Sequence, residues 1–121
     1  VVQLWYLAAP WQGTSLEEVA HIRKSTHYVY IRDYFSAVVS AIPLPYSKPH
    51  PEVYLQAAKL LDIEPTHCGA FEDSFHGMVA VKAARMRNIV VPPKDHFTDP
   101  RWTLADVKLN TLAELTTKHI I

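Results

Sequence analysis

Two adjacent carboxylates, Glu72 and Asp73, stand in the stretch AFEDSFHGM, with no Lys or Arg within eight residues on either side. Neighbouring like charges repel, so a folded chain that keeps them together has a use for them, and the natural use is to face a cation. One role needs no ligand. Asp73 or Ser74 can cap the following helix by accepting from its free N–H groups, where the helix dipole also favours acid. Capping accounts for one carboxylate and leaves the other. About two dozen residues upstream, Lys48 sits in YSKPHP, a loop stiffened by Pro49 and Pro51. A loop lysine is ordinarily solvated. Placed on one edge with the two carboxylates, however, it completes a cradle for a phosphoryl group, with a divalent ion between Glu72, Asp73 and the phosphate oxygens. Magnesium suits such a site because it takes few carboxylates and keeps waters. Phosphoryl transfer asks mainly for positioning and charge neutralisation. Gly77, in the first turn of the helix after the carboxylates, leaves room for close approach; otherwise it is simply a helix-start glycine.

The elements around these residues give the edge its form. Val1 to Lys24 reads as helical, with Val1, Leu4 and Trp5 on one face, a stop at Pro10, and a new start at Ser15 and Glu18 in capping-box form. From Tyr34 the texture changes. YFSAVVSAI reads as a buried strand, PLPYSKPHP as a loop, and EVYLQAAKLLDI as an amphipathic helix whose face is Val53, Tyr54, Ala57, Leu60 and Leu61. THCGAF is then a strand, EDSFHG a loop, MVAVKAARM a helix and NIVVP a strand, with a short strand and a helix in LADVKLNTLAEL. Strands alternating with single helices imply parallel pairing. Ligands bind beyond the carboxyl ends of such strands, where the Lys48 loop and the Glu72–Asp73 loop both open.

Composition narrows the classes. The 121 residues are one modest domain's worth, 49% of them are hydrophobic, and 12 basic residues balance 12 acidic ones. That balance points away from nucleic acid and anionic membrane surfaces. No apolar run is long enough to cross a bilayer and no signal peptide is visible. Cys68 is the single cysteine, which fits a reducing cytoplasm and the role of a small buried apolar group. The seven histidines are scattered, with no pair spaced for zinc on a helix. Trp5, Trp11 and Trp102 read as packing residues, Arg85 and Arg87 as a helix C-terminus, and Asp99 with Arg101 as a local surface pair.

The motifs YSKPHPEVY and FEDSFHGMVAVKAA, in this order and at this spacing, resemble the haloacid dehalogenase (HAD) superfamily of phosphatases. Within it the likeness is to the β-phosphoglucomutase-like branch. KAARMRNIVVP, DPRW, LADVKLNTLAELT and LWYLAAPWQG further resemble the bacterial 2-deoxyglucose-6-phosphate, or hexitol, phosphatases. The resemblance implies an α/β fold with a HAD-like Rossmannoid parallel sheet. Residues 28–121 would be the C-terminal part of the core, and residues 1–27 a fragment of a helical cap. It implies Mg2+-dependent hydrolysis of sugar phosphates of the hexose or hexitol 6-phosphate and 2-deoxyglucose 6-phosphate type. Asp73 would ligate the metal directly and Glu72 directly or through water. Lys48 would neutralise phosphoryl oxygens and nucleophile, and Ser74 and Gly77 would shape the loop. The expected setting is the cytoplasm, and the expected oligomeric state a monomer.

The chain departs from this pattern in one half of the site. The family nucleophile is an aspartate in a D-x-D pattern, and no D-x-D occurs here; two places after Asp33 stands Phe35. The family's second motif, a Ser or Thr ending a strand, is also missing, since Ser25 and Thr26 follow HIRK rather than a buried strand. Without a nucleophile there is no aspartyl-phosphate. The chain opens on VVQLWYLAAPW without Met. The expectation is therefore a piece of a longer phosphatase whose nucleophile lies upstream. The alternative is a truncated relative that binds metal or phosphate without turnover. A signalling receiver domain also combines acids, magnesium and lysine, but there the acids precede the lysine, the reverse of the order here.

Overall fold

The computed structural model describes residues 2–3, 39, 41 and 43–120. Among these, four parallel strands form one sheet in the order β1 (Val2–Gln3), β2 (Cys68–Glu72), β3 (Arg87–Val90), β4 (Val107–Lys108). Helix α1 (Glu52–Leu61) precedes β2, α2 (Phe75–Ala83) connects β2 to β3, and α3 (Thr117–Ile120) closes the described chain. The α/β alternation read from the sequence thus holds from Glu52 onward.

Period-two alternation decides what each strand faces. Cys68, Ala70 and Glu72 are buried while Gly69 and Phe71 are half-buried. The register sets Ala70 beside Asn88 and Glu72 beside Val90. Cys68 and Ala70 meet Val53, Tyr54, Ala57 and Ala58 of α1 and Ala80 and Val81 of α2 in one core cluster. Met78, Val90 and Trp102 form a second, with Phe75 stacked on Trp102 at 4.1 Å between ring centroids. Alanines at these contacts let the helices lie close to the sheet. Trp102 is thereby a packing residue, and Cys68 is buried, which raises its thiol above the ordinary value.

Several boundaries differ from expectation. Val2–Gln3 are extended and pair with Cys68–Gly69, so the helix expected from Val1 does not include them; a β-branched residue beside an open strand edge favours pairing. The rest of the helical reading to Lys24 lies outside the described residues. Of the strand expected over residues 34–42, only Val39 and Ala41 are described; neither is in a strand, and both pack on the first cluster. The buried face of α1 runs through Ala58 rather than Leu60, which is 62% exposed, because Val53, Tyr54, Ala57 and Ala58 form a tighter stripe at 3.6 residues per turn. Helix α2 begins at Phe75, three residues before the expected Met78, because Ser74 caps it. Arg87 belongs to β3 rather than to a helix end, and its Nε donates to the His119 carbonyl at 2.7 Å. The expected helix in NTLAEL is a single 3-10 turn, Leu112–Glu114.

Strand β3 is tied to its surroundings by Asp106. That carboxylate accepts from the Asn88 backbone N–H at 2.7 Å and from Lys82 Nζ at 2.9 Å. Burial alone would raise the Asp106 carboxyl, but the Asn88 amide and the Lys82 ammonium outweigh it and hold it below its ordinary value. The expected surface pair is present: Arg101 Nη2 lies 2.8 Å from Asp99 Oδ2, and that hydrogen-bonded guanidinium holds the Asp99 carboxyl down at about 2. Arg101 also lies over the Phe75 ring, 3.8 Å from its centroid, a contact the sequence reading did not anticipate.

Candidate active site

Strand β2 ends on Glu72, and the chain leaves the sheet at once through Asp73 and Ser74. The strand's alternation turns Glu72 inward under α1, where its side chain is only 2% exposed, and leaves Asp73 exposed. Lys48 reaches the same point from the proline-rich loop before α1, after which the Lys48–Pro49 peptide is cis. Its Nζ lies 2.6 Å from Glu72 Oε1. The loop before α1 and the loop after β2 therefore meet on one edge of the sheet.

A buried ion pair is tolerated only if the remaining lone pairs and protons are also satisfied. Here the Tyr54 hydroxyl donates to Glu72 Oε1, and Ser74 Oγ donates to Oε2 at 3.2 Å. Ser74 also accepts from the Gly77 N–H at 3.1 Å, which makes it the N-cap of α2. Of the two capping candidates it is therefore Ser74, and Asp73 is left over. Asp73 makes no hydrogen bond or ion pair among the described residues. Gly77 makes room for something nearer than a ligand: a Cβ there would fall on the Glu72 carboxylate, which Lys48, Tyr54 and Ser74 hold in place. All five residues singled out from the sequence, Lys48, Glu72, Asp73, Ser74 and Gly77, come together at the carboxyl end of β2. Tyr54 was missed. It reads as one more apolar position of an amphipathic helix, and only its hydroxyl, six residues after Lys48, hinted at a polar task.

The residues present can be tested against a metal. No three of His, Cys, Asp and Glu gather as a ligand set among the described residues. What the edge offers is one exposed, unengaged carboxylate, Asp73, beside a second whose oxygens already face Lys48, Tyr54 and Ser74. That fits magnesium, which binds through one or two carboxylates and completes its shell with water and phosphate oxygens. It does not fit an ion that needs an all-protein cage.

A model of haloacid dehalogenase-like hydrolases matches residues 9–85. Hexitol phosphatase B of Escherichia coli K12 is 39% identical over 165 aligned positions, covering all of this chain and 74% of that protein. Since the chain has 121 residues, the alignment opens gaps opposite it. Among solved structures, CbbY from Rhodobacter sphaeroides in complex with phosphate superposes with a TM-score of 0.73 at 30% identity, over 88% of this chain and 48% of that one. β-Phosphoglucomutase from Clostridium difficile gives a TM-score of 0.66 at 26% identity, over 78% of this chain and 40% of that one. The chain belongs to the haloacid dehalogenase-like hydrolase family and has its α/β fold. It spans 48% and 40% of the length of these two solved relatives.

Proposed function

We propose that this chain carries the metal- and phosphate-holding half of a phosphatase active site for sugar phosphates of the hexose or hexitol 6-phosphate type. The observation that supports it most is the Lys48–Glu72 pair at 2.6 Å directly beside the exposed Asp73. A fixed cation and an unengaged carboxylate on one edge suit a phosphoryl group and its counterion. The similarity to hexitol phosphatase B supports the substrate class. Lys48 orients the phosphoryl oxygens and neutralises their charge. Glu72, held by its own donors, keeps Lys48 in place and backs Asp73. Asp73 holds Mg2+, with Glu72 second to it or acting through water. When bound, Mg2+ supplies charge neutralisation at the phosphoryl oxygens. Ser74 and Gly77 shape the loop; the cap fragment read over residues 1–27, to which sugar selection is assigned, lies outside the described residues apart from Val2 and Gln3. The cytoplasm is the proposed setting.

A second reading has a specific observation behind it. No D-x-D occurs in the sequence, so the family nucleophile is not supplied by these residues. On that reading the chain binds metal and phosphate without turnover. The deciding experiment is phosphate release from a panel of hexose and hexitol 6-phosphates with and without Mg2+, paired with binding of inorganic phosphate. Mg2+-dependent release supports the phosphatase. Binding without release supports the second reading, and neither binding nor release overturns both.

A further inference from the structure

Lys48 and Glu72 are both long, flexible side chains, and holding them in one geometry costs rotamer entropy. The proposed phosphoryl site needs that geometry to be in place beforehand, because misplacement of a charged group weakens its effect. Something rigid must therefore brace the pair. Tyr54 is fully buried on α1, its ring locked in the core cluster with Val53, Ala57 and Cys68. Its hydroxyl donates to the same Glu72 oxygen that Lys48 approaches, and the Lys48 ammonium lies 5.4 Å from the centroid of its ring. One stiff side chain thus touches both partners, through a hydrogen bond to the anion and through its π-face to the cation.

We propose that Tyr54 is a positioning residue, holding Lys48 and Glu72 in register at the sheet edge before any phosphate arrives. This rests on the phosphoryl-site reading for its functional meaning but not for its test. In Tyr54→Phe the ring and its packing remain and only the hydroxyl is lost. Glu72 then keeps Lys48 and Ser74 but loses its tether to α1.

The test uses the full 121-residue chain without substrate. Side-chain NMR relaxation at Lys48 Cε reports its ordering on the fast timescale. The expected result is a high order parameter in the parent and, in Tyr54→Phe, a drop toward that of exposed Lys59. The affinity for inorganic phosphate in the presence of Mg2+ should fall several-fold. Val53→Ala, a core truncation on the same helix face, controls for general loosening. It should lower the thermal midpoint while leaving Lys48 ordering and phosphate affinity in place. Unchanged Lys48 ordering in Tyr54→Phe overturns the proposal, as does the same loosening in Val53→Ala. If the parent itself fails to bind phosphate, the phosphoryl-site reading falls, and the order-parameter comparison still decides Tyr54.

Discussion

A methyl group at Gly77 would enter the space of the Glu72 carboxylate. Gly77→Ala should therefore destabilise the fold by about 2–3 kcal/mol, in the range of overpacking, measured as a lower urea midpoint at unchanged slope. Its sign is informative, since Gly to Ala inside a helix is otherwise favourable. Lys48→Met leaves Glu72 buried with only Tyr54 and Ser74 as donors. Removing one partner of a buried pair costs roughly 3–5 kcal/mol, and the remaining donors place this case near the lower end. Individual residues were well legible from sequence in one respect: Lys48, Glu72, Asp73, Ser74 and Gly77 do gather at one edge of the sheet. What sequence did not reveal was the division of labour. The two carboxylates look equivalent in a string of letters, but strand alternation turns one in and the next out.

Between elements, the Asp106 carboxylate joins β3 to the last turn of α2 through Asn88 and Lys82. Because its folded-state pKa lies below the ordinary value, its contribution is present above the unfolded pKa and fades as pH falls through the folded one. Asp106→Asn should lower stability at neutral pH by about 1 kcal/mol, an amount already reduced for the exposure of the pair. The difference between parent and variant should shrink as the pH is taken below the carboxylate range, which denaturation at a series of pH values would check. This link was invisible in the sequence, since Lys82, Asn88 and Asp106 belong to three separate segments and meet only through the strand register. Element order was legible because hydrophobic runs and proline-rich breaks mark it. Boundaries were not. Ser74→Ala should cost about 1 kcal/mol by removing the cap that starts α2 three residues earlier than its apolar pattern suggests. Leu60, apolar but 62% exposed, shows the same limit, because one residue on a helix turns the face by about 100°.

Over the chain as a unit, the family and its parallel sheet could be recognised from two long motifs, because those motifs carry both the chemistry and the strand ends that present it. The pairing of Val2–Gln3 with β2 could not, since a two-residue strand leaves almost no periodic signal. The edge made by Lys48, Glu72 and Asp73 is proposed to hold a phosphoryl group with Mg2+. The most direct test is calorimetric titration of inorganic phosphate into the chain with and without Mg2+, repeated on Asp73→Asn. Phosphate binding that needs Mg2+ in the parent, and loses that Mg2+ dependence in Asp73→Asn, is the expected result. Phosphate binding that is absent from the parent, or indifferent to both Mg2+ and Asp73, would contradict it.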